Sequence, residues 1–287
     1  MNKLIITTVF SILSFSAFCQ ETETEKPTKH YMPLFLDIPA EMNVEIGFKE
    51  VNIAGGYADF EHFSGVRTLI EYDFAPIDKL GFEIEVPFIF VNEKHSTISE
   101  VTEGEAIEGA TGHAVSEEGS SSKSSMAIRI GFNYALFNDK KSKTSLAVGY
   151  FNEFELTHFK EFGKPLLEGN VYNPFLAVAK IWGERFHSMI YTGPAISQSF
   201  EHDETNTAYR FNTILSYRFG KGEKESFAGI ECNQTWANEA SGQMVLRPQV
   251  QLVLTEKWKL GIVGSIPVAT SNELNGSGFL RIIYSPK

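Results

Sequence analysis

Cysteine is nearly absent from this chain. Only Cys19 and Cys232 occur, and Cys19 closes an N-terminal segment of export type, so no disulfide framework is available to hold the fold. No long hydrophobic run exists either. The stretch Leu4–Phe15, interrupted only by hydroxyl residues, falls short of the ~20 apolar residues that a membrane-crossing helix needs. A mean hydropathy of -0.13 excludes a bundle of such helices. Basic charge is in deficit. The formal net charge is -11 and becomes -12 if Lys3 leaves with the export segment, which argues against nucleic acid as a partner, since that needs a basic footprint. Catalytic motifs are missing as well: there is no Gly-x-Ser-x-Gly elbow, phosphate-cradling glycine loop, His-x-x-x-His pair or Cys-x-x-Cys.

What is present begins with a secretory signal. Met1-Asn2-Lys3, the apolar stretch and Ser16-Ala17-Phe18-Cys19 precede a polar start, Gln20–Lys29, and predict cleavage after Cys19. The rival reading, a lipoprotein acylated on Cys19, is opposed by bulky Phe18. We expect residues 1–19 to be the signal peptide, 20–41 a lead-in whose first part, Gln20–Lys29, is disordered, and 42–287 one β-rich domain.

Aromatic residues make up 13% of the chain, with 24 Phe and 10 Tyr, a supply that suits strands and membrane interfaces. Past Glu41 the sequence breaks into short segments of alternating character. In Met126–Phe137, Met126, Ile128, Ile130, Phe132, Tyr134 and Leu136 share one face; Ala127, Arg129, Gly131, Asn133 and Ala135 share the other. In Ala208–Phe219, Tyr209, Phe211, Leu215 and Tyr217 oppose Arg210, Asn212 and Arg218. Side chains of a strand point alternately to its two faces, so this period of two marks a sheet with one greasy side. Val66–Phe74, Phe82–Phe90, Leu246–Leu254, Trp258–Ile266 and Leu280–Tyr284 follow the same rule. Val44–Val51, Leu146–Glu155, Phe175–Trp182, Phe186–Gln198 and Phe227–Trp236 are weaker candidates. About twelve strands result.

Short polar turns (Ala75–Lys79, Asn138–Lys143, Gly183–Arg185, Gly220–Glu225, Thr255–Lys257) alternate with usually longer connections (Asn52–His62, Val91–Ser125, Leu156–Tyr172, Phe200–Thr207, Ala237–Gln243, Val268–Gly276). An up-and-down barrel with tight turns at one rim and loops at the other produces that pattern. Val91–Ser125, acidic and rich in Gly and Ser, reads as an outer loop. The fold expected is all-β: an antiparallel, up-and-down transmembrane barrel in a Gram-negative outer membrane.

Charges sit opposite the greasy face: Arg67, Glu71, Asp73, Glu83, Glu85, Arg129, Arg210, Arg218, Glu231, Arg247 and Arg281. Isolated burial of such groups costs several kcal/mol each, as an order of magnitude. They must face water or line a polar barrel interior, and the bare aromatics of the other face favour the second. These eleven are the candidate lumen-lining residues.

The string His30-Tyr31-Met32-Pro33-Leu34-Phe35-Leu36-Asp37 resembles the opening motif of the HAEPLYID family of exported bacterial proteins. Glu71–Phe88 is similar to that family's strand, turn and strand. Tyr31 and Met32 stand where the motif has Ala and Glu, so no role tied to that Glu carries over. The resemblance implies an outer-membrane barrel without a settled activity.

A passive pore or transport-type barrel with a charged lumen is the function expected. The alternatives are a plugged structural or ligand-binding barrel and a soluble periplasmic β-rich binding protein. Partners would be outer-membrane lipid, the barrel-assembly machinery and a small solute. No cofactor, metal or catalytic residue is expected. Glu201-His202-Asp203-Glu204 could hold a cation but reads better as a solvated loop tip. Glu83 and Glu85 could act as a carboxylate pair, with pairing to Arg67 or Arg129 the simpler expectation. His62, His158 and His187 read as loop or interface residues, and Trp182, Trp236 and Trp258 as an aromatic belt.

Overall fold

The computed structural model describes residues 30–35, 42–61, 63–93, 122–156, 166–200, 204–220, 225–237, 242–269 and 274–286. The signal peptide, Gln20–Lys29, most of the acidic loop, Glu201–Asp203, His62 and His158 lie outside these residues.

Twelve strands run β1 Lys49–Phe60, β2 Phe63–Ile77, β3 Leu80–Glu93, β4 Ser122–Asp139, β5 Thr144–Leu156, β6 Leu167–Trp182, β7 Phe186–Ser199, β8 Glu204–Phe219, β9 Ser226–Ala237, β10 Gln243–Val253, β11 Trp258–Ala269 and β12 Leu274–Tyr284. Each pairs antiparallel with its sequence neighbours, and β1 pairs with β12, so the sheet is a closed up-and-down barrel. Closure runs from Val51↔Tyr284 through Ala54↔Arg281 to Gly56↔Phe279. The strands hold 11 to 18 residues, against the roughly 9–11 that a tilted strand needs to cross a bilayer.

The greasy face points outward. Ile53, Ile70, Ile84, Ile130, Leu215, Ile262, Leu280 and Ile282 are all exposed, which a membrane accepts and water would not. Aromatic rings gird the short-turn rim: Tyr72, Phe74, Phe82, Phe132 and Tyr150 follow one another at centroid spacings of 5.5–6.2 Å. Phe186–Tyr217 and Trp258–Tyr284 continue the girdle. Trp182 ends β6 beside it, while Trp236 marks the opposite rim with Tyr209. This is the two-belt pattern of a transmembrane barrel.

Two expectations are corrected. The strand expected over Val44–Val51 starts at Lys49 and continues to Phe60, through a stretch read as a loop. Gly55 and Gly56 lie within the connection expected over Asn52–His62. At Gly56, however, the backbone of the closing strand comes so near that a Cβ would strike the Gly278 carbonyl, so glycine there permits close strand approach. Likewise β6 begins at Leu167, not Phe175, because its first half carries Gly169, Asn170, Asn173 and Pro174, which mimic loop chemistry. The short turns do use left-handed backbone, at Lys79 (φ 68°) and Gly183 (φ 64°).

Candidate functional site: the barrel interior and its N-terminal strap

Of the charged residues expected on the enclosed face, Glu71, Asp73, Glu83, Glu85, Glu231, Arg247 and Arg281 are buried; Arg67, Arg129, Arg210 and Arg218 are half-buried. Nine of them meet in two networks. On β1–β4 and β12, Arg281 donates to Glu71, and Arg129 bonds Glu85 and, at 3.2 Å, Glu83. Arg67 reaches Glu85 at 3.4 Å. The Asn52 amide donates to Glu71 and Asp73, and Lys259 pairs with Glu50 at 2.8 Å. Carboxylate oxygens of Glu71, Asp73 and Glu83 lie within 4.8 Å of one another, a hard-oxygen set already served by Arg281, Arg129 and Asn52.

The second network lies on β9–β11. Arg247 donates to Asn233 and to Ser265, Asn233 donates to Glu231 at 2.7 Å, and Gln249 reaches Glu231 at 3.3 Å. Buried charges persist only when counter-charge and hydrogen bonds replace lost water. Here both are supplied across neighbouring strands.

The remaining sector, β5–β8, departs from a wholly ionic lining. Ala147, Phe151, Phe175, Ala177, Ala179, Met189, Tyr191 and Ile214 form a buried apolar cluster on the inward face. Arg129 lies 4.7 Å over the Phe151 ring. With its amide nitrogen donating to the Pro194 carbonyl, Asn173 accepts from Tyr191 and from Arg210, both at 3.1 Å. Both faces of β5–β7 are largely apolar here, so the alternation that betrays a strand is weak there.

The interior also holds a piece of chain that strand periodicity could not announce. The segment 30–35 crosses the short-turn mouth from wall to wall. His30 Nε2 lies 2.7 Å from Ser145 Oγ on β5, and its Nδ1 lies 3.1 Å from His187 Nε2 on β7. Tyr31 donates its hydroxyl to Glu225 at 2.7 Å, packs on Phe227 and lies under Arg218. On the far wall the Leu34 N–H donates to Gln249 and its carbonyl accepts from Arg281. Phe35 lies 3.8 Å beneath the Arg247 guanidinium. The chain then returns: Met42 packs into the β5–β8 cluster, Asn43 donates to Ser145 at 2.8 Å, and the Val44 carbonyl accepts from Lys79 N–H before β1 begins.

One proton assignment of the histidine network satisfies every contact. Ser145 donates to Asn138 and accepts from Asn43, so His30 Nε2–H donates to Ser145. His30 Nδ1 is then the acceptor, His187 Nε2–H the donor, and His187 Nδ1 accepts from Ser216 at 3.4 Å. Both rings are neutral. Burial pushes the pKa of His30 down to about 4, and burial, with the Glu225 carboxylate, raises that of Tyr31. The Ser145–His30 contact is not a nucleophile–base pair of use to a substrate, because Ser145 is 0% exposed. His187 was expected at a loop or interface; it is buried inside the barrel, since a partner 157 residues away in sequence occupies the lumen beside it.

The sequence model of the HAEPLYID-like family matches residues 26–285. The chain belongs to that family. Over its described part, His30–Phe35, the string resembling the family motif is the strap itself. In fold, this HAEPLYID-like barrel is similar to an outer membrane channel from Pseudomonas putida F1, with a TM-score of 0.62 and 9% identity over 88% of this chain and 100% of that one. The KdgM porin matches with a TM-score of 0.52 and 13% identity, covering 83% of this chain and 99% of that one. The NanC porin gives 0.50 and 12% over 83% and 99%. At such identities the likeness is one of fold. No curated protein matches the chain.

Proposed function

We propose that this HAEPLYID-like protein is a passive pore or transport-type barrel of the outer membrane, for a small solute, with no enzymatic role. The eleven charged residues named above would be its lumen lining. One observation carries the reading: a closed barrel turns its apolar side outward to lipid and encloses an ionic, arginine-and-carboxylate side. Its fold likeness to an outer membrane channel and two porins supports it. Outer-membrane lipid and the assembly machinery are the partners such a barrel requires.

The test is conductance in planar bilayers. Discrete ion steps are expected, with selectivity shifted toward cations when Arg129 or Arg210 is replaced by Glu. A barrel silent at every voltage, both with the strap seated and with its anchors removed, overturns the reading. The strap favours a second reading, a plugged barrel whose outer loops bind a ligand. In that case deleting 100–121 abolishes binding while leaving membrane assembly intact.

A further inference from the structure

We propose that His30–Phe35 is a gate: a displaceable strap seated in the barrel mouth, whose withdrawal from the β10–β12 wall opens the lumen. The inference rests on the pore reading and deepens it. A segment that merely tied down the N-terminus would need one wall. This one is fastened at both, by His30 on β5 and β7 and by Leu34 on β10 and β12, so it spans the opening. Tyr31, Leu34 and Phe35 pack on an apolar patch of the wall formed by Ala54, Leu69, Phe227, Val263, Phe279 and Ile283, and its polar contacts are of the kind that separate cleanly. The His30, Tyr31 and Leu34 hydrogen bonds can each be exchanged for water, whose net cost is small for each bond. The wall groups it touches have other partners to fall back on: Arg281 keeps Glu71, Gln249 keeps Glu231, Arg247 keeps Asn233 and Ser265, and Arg218 keeps Glu225. These four wall residues therefore each keep a partner when the strap leaves.

The seat is also shaped for the strap. On β11, Gly261 faces inward beneath Leu34, and a Cβ there would come within 3.1 Å of both Leu34 methyl carbons. A side chain at 261 would occupy the volume that the strap uses. The same Cβ would come within 3.3 Å of Arg281 Cβ, so the strap and the buried arginine share this space. A strand residue lacking a side chain often marks close approach of another backbone or ligand.

The experiment uses full-length barrels in planar bilayers. One carries Leu34→Cys with Gly261→Cys in a Cys232→Ser background, the thiols joined by oxidation or a one-carbon bridging reagent. Another carries His30→Ala, Leu34→Ala and Phe35→Ala together, which removes the His30 hydrogen bonds, the Leu34 side chain over Gly261 and the Phe35 ring under Arg247 without shortening the chain. Bridging should hold the barrel in its low-conductance state, reduction of the disulfide should restore native opening, and the triple variant should conduct several-fold more than the native protein. Equal conductance in bridged, reduced and triple-substituted barrels overturns the gate and leaves the pore reading standing. Silence in all of them overturns the pore reading and the gate together. Heat-modifiable migration in SDS gels establishes that each variant has closed its barrel.

Discussion

Arg281→Met should destabilise the barrel more than any exposed substitution, because it breaks a buried ion pair on the strand that closes the sheet. Arg281 is 3% exposed and Glu71 2%; the guanidinium donates to that carboxylate and to the Leu34 carbonyl. Removing the cation leaves Glu71 beside Asp73 and Glu83 without its principal counter-charge. Stranding one member of a buried pair costs about 3–5 kcal/mol. At roughly 1.4 kcal/mol per decade, that is on the order of a hundredfold or more in the folded-to-unfolded ratio. Removing the stranded charge as well, in Arg281→Met with Glu71→Gln, should recover about half of the loss, since coupled neighbours are not additive. Urea unfolding in lipid vesicles, followed by tryptophan fluorescence and the gel shift, gives both values. A single-variant cost below about 1 kcal/mol, or simple additivity in the double variant, would show that this pair lies open to water and that the enclosed ionic face has been misread.

Four further outcomes are expected. Gly261→Val should crowd Leu34 off its seat and raise conductance, and should cost some barrel stability because the added side chain also presses on Arg281; unchanged conductance in a barrel that keeps its gel shift would contradict the seating. Acid should loosen the strap: His30, neutral when seated with a pKa of about 4 against roughly 6.5 when free, binds a proton more readily once released. Seating is therefore complete above pH ~6.5 and lost as pH falls toward ~4; the charged and titratable neighbours are His187, Arg218, Tyr31 and Glu225, and a His30→Gln barrel should lack the opening step in that window. Tyr31→Phe removes the hydroxyl bond to Glu225 and should weaken seating by about 1 kcal/mol, read as more frequent openings. Gly193→Val should block assembly, because a Cβ there would strike the Pro174 carbonyl on the paired strand; a normal gel shift would contradict that packing.

Strict alternation made β4 and β8 readable almost to their ends, because lipid on one side and ions on the other impose opposite chemistry on successive residues. The same contrast located the charged side chains. Where the inward face is apolar, as at Phe151, Phe175 and Tyr191, the contrast fades, and β5–β7 were correspondingly weak. The connections expected over Asn52–His62 and Leu156–Tyr172 hid strand for another reason: a glycine that permits close strand approach, such as Gly56, carries the same letter as one chosen for a turn. The strap's partners were out of reach. Nothing in the sequence around Ser145, His187 or Gln249 points to His30 or Leu34, since these contacts span 115 to 215 residues and obey no local period. The motif resemblance marked the right residues without indicating that they lie inside the barrel.

An even strand number decides which mouth can be strapped by the lead-in. With twelve strands the chain enters β1 and leaves β12 at the same rim, where Ser285 N–H donates to Lys257 and the Ser285 hydroxyl to Glu50. A segment joined directly to β1 there meets its seat intramolecularly, at an effective concentration on the order of millimolar. A detached plug at micromolar concentration would need about 4 kcal/mol more contact energy for the same occupancy. Tethering thus adds to the strap's hydrogen bonds and to the apolar packing of Tyr31 and Leu34. A peptide spanning 30–35, added in trans to a barrel carrying the three alanine anchor replacements, should accordingly leave conductance unchanged at micromolar concentration and reduce it only near millimolar. Block at micromolar peptide would mean that the seat binds this segment tightly in its own right, and that its release in the intact chain requires an outside force.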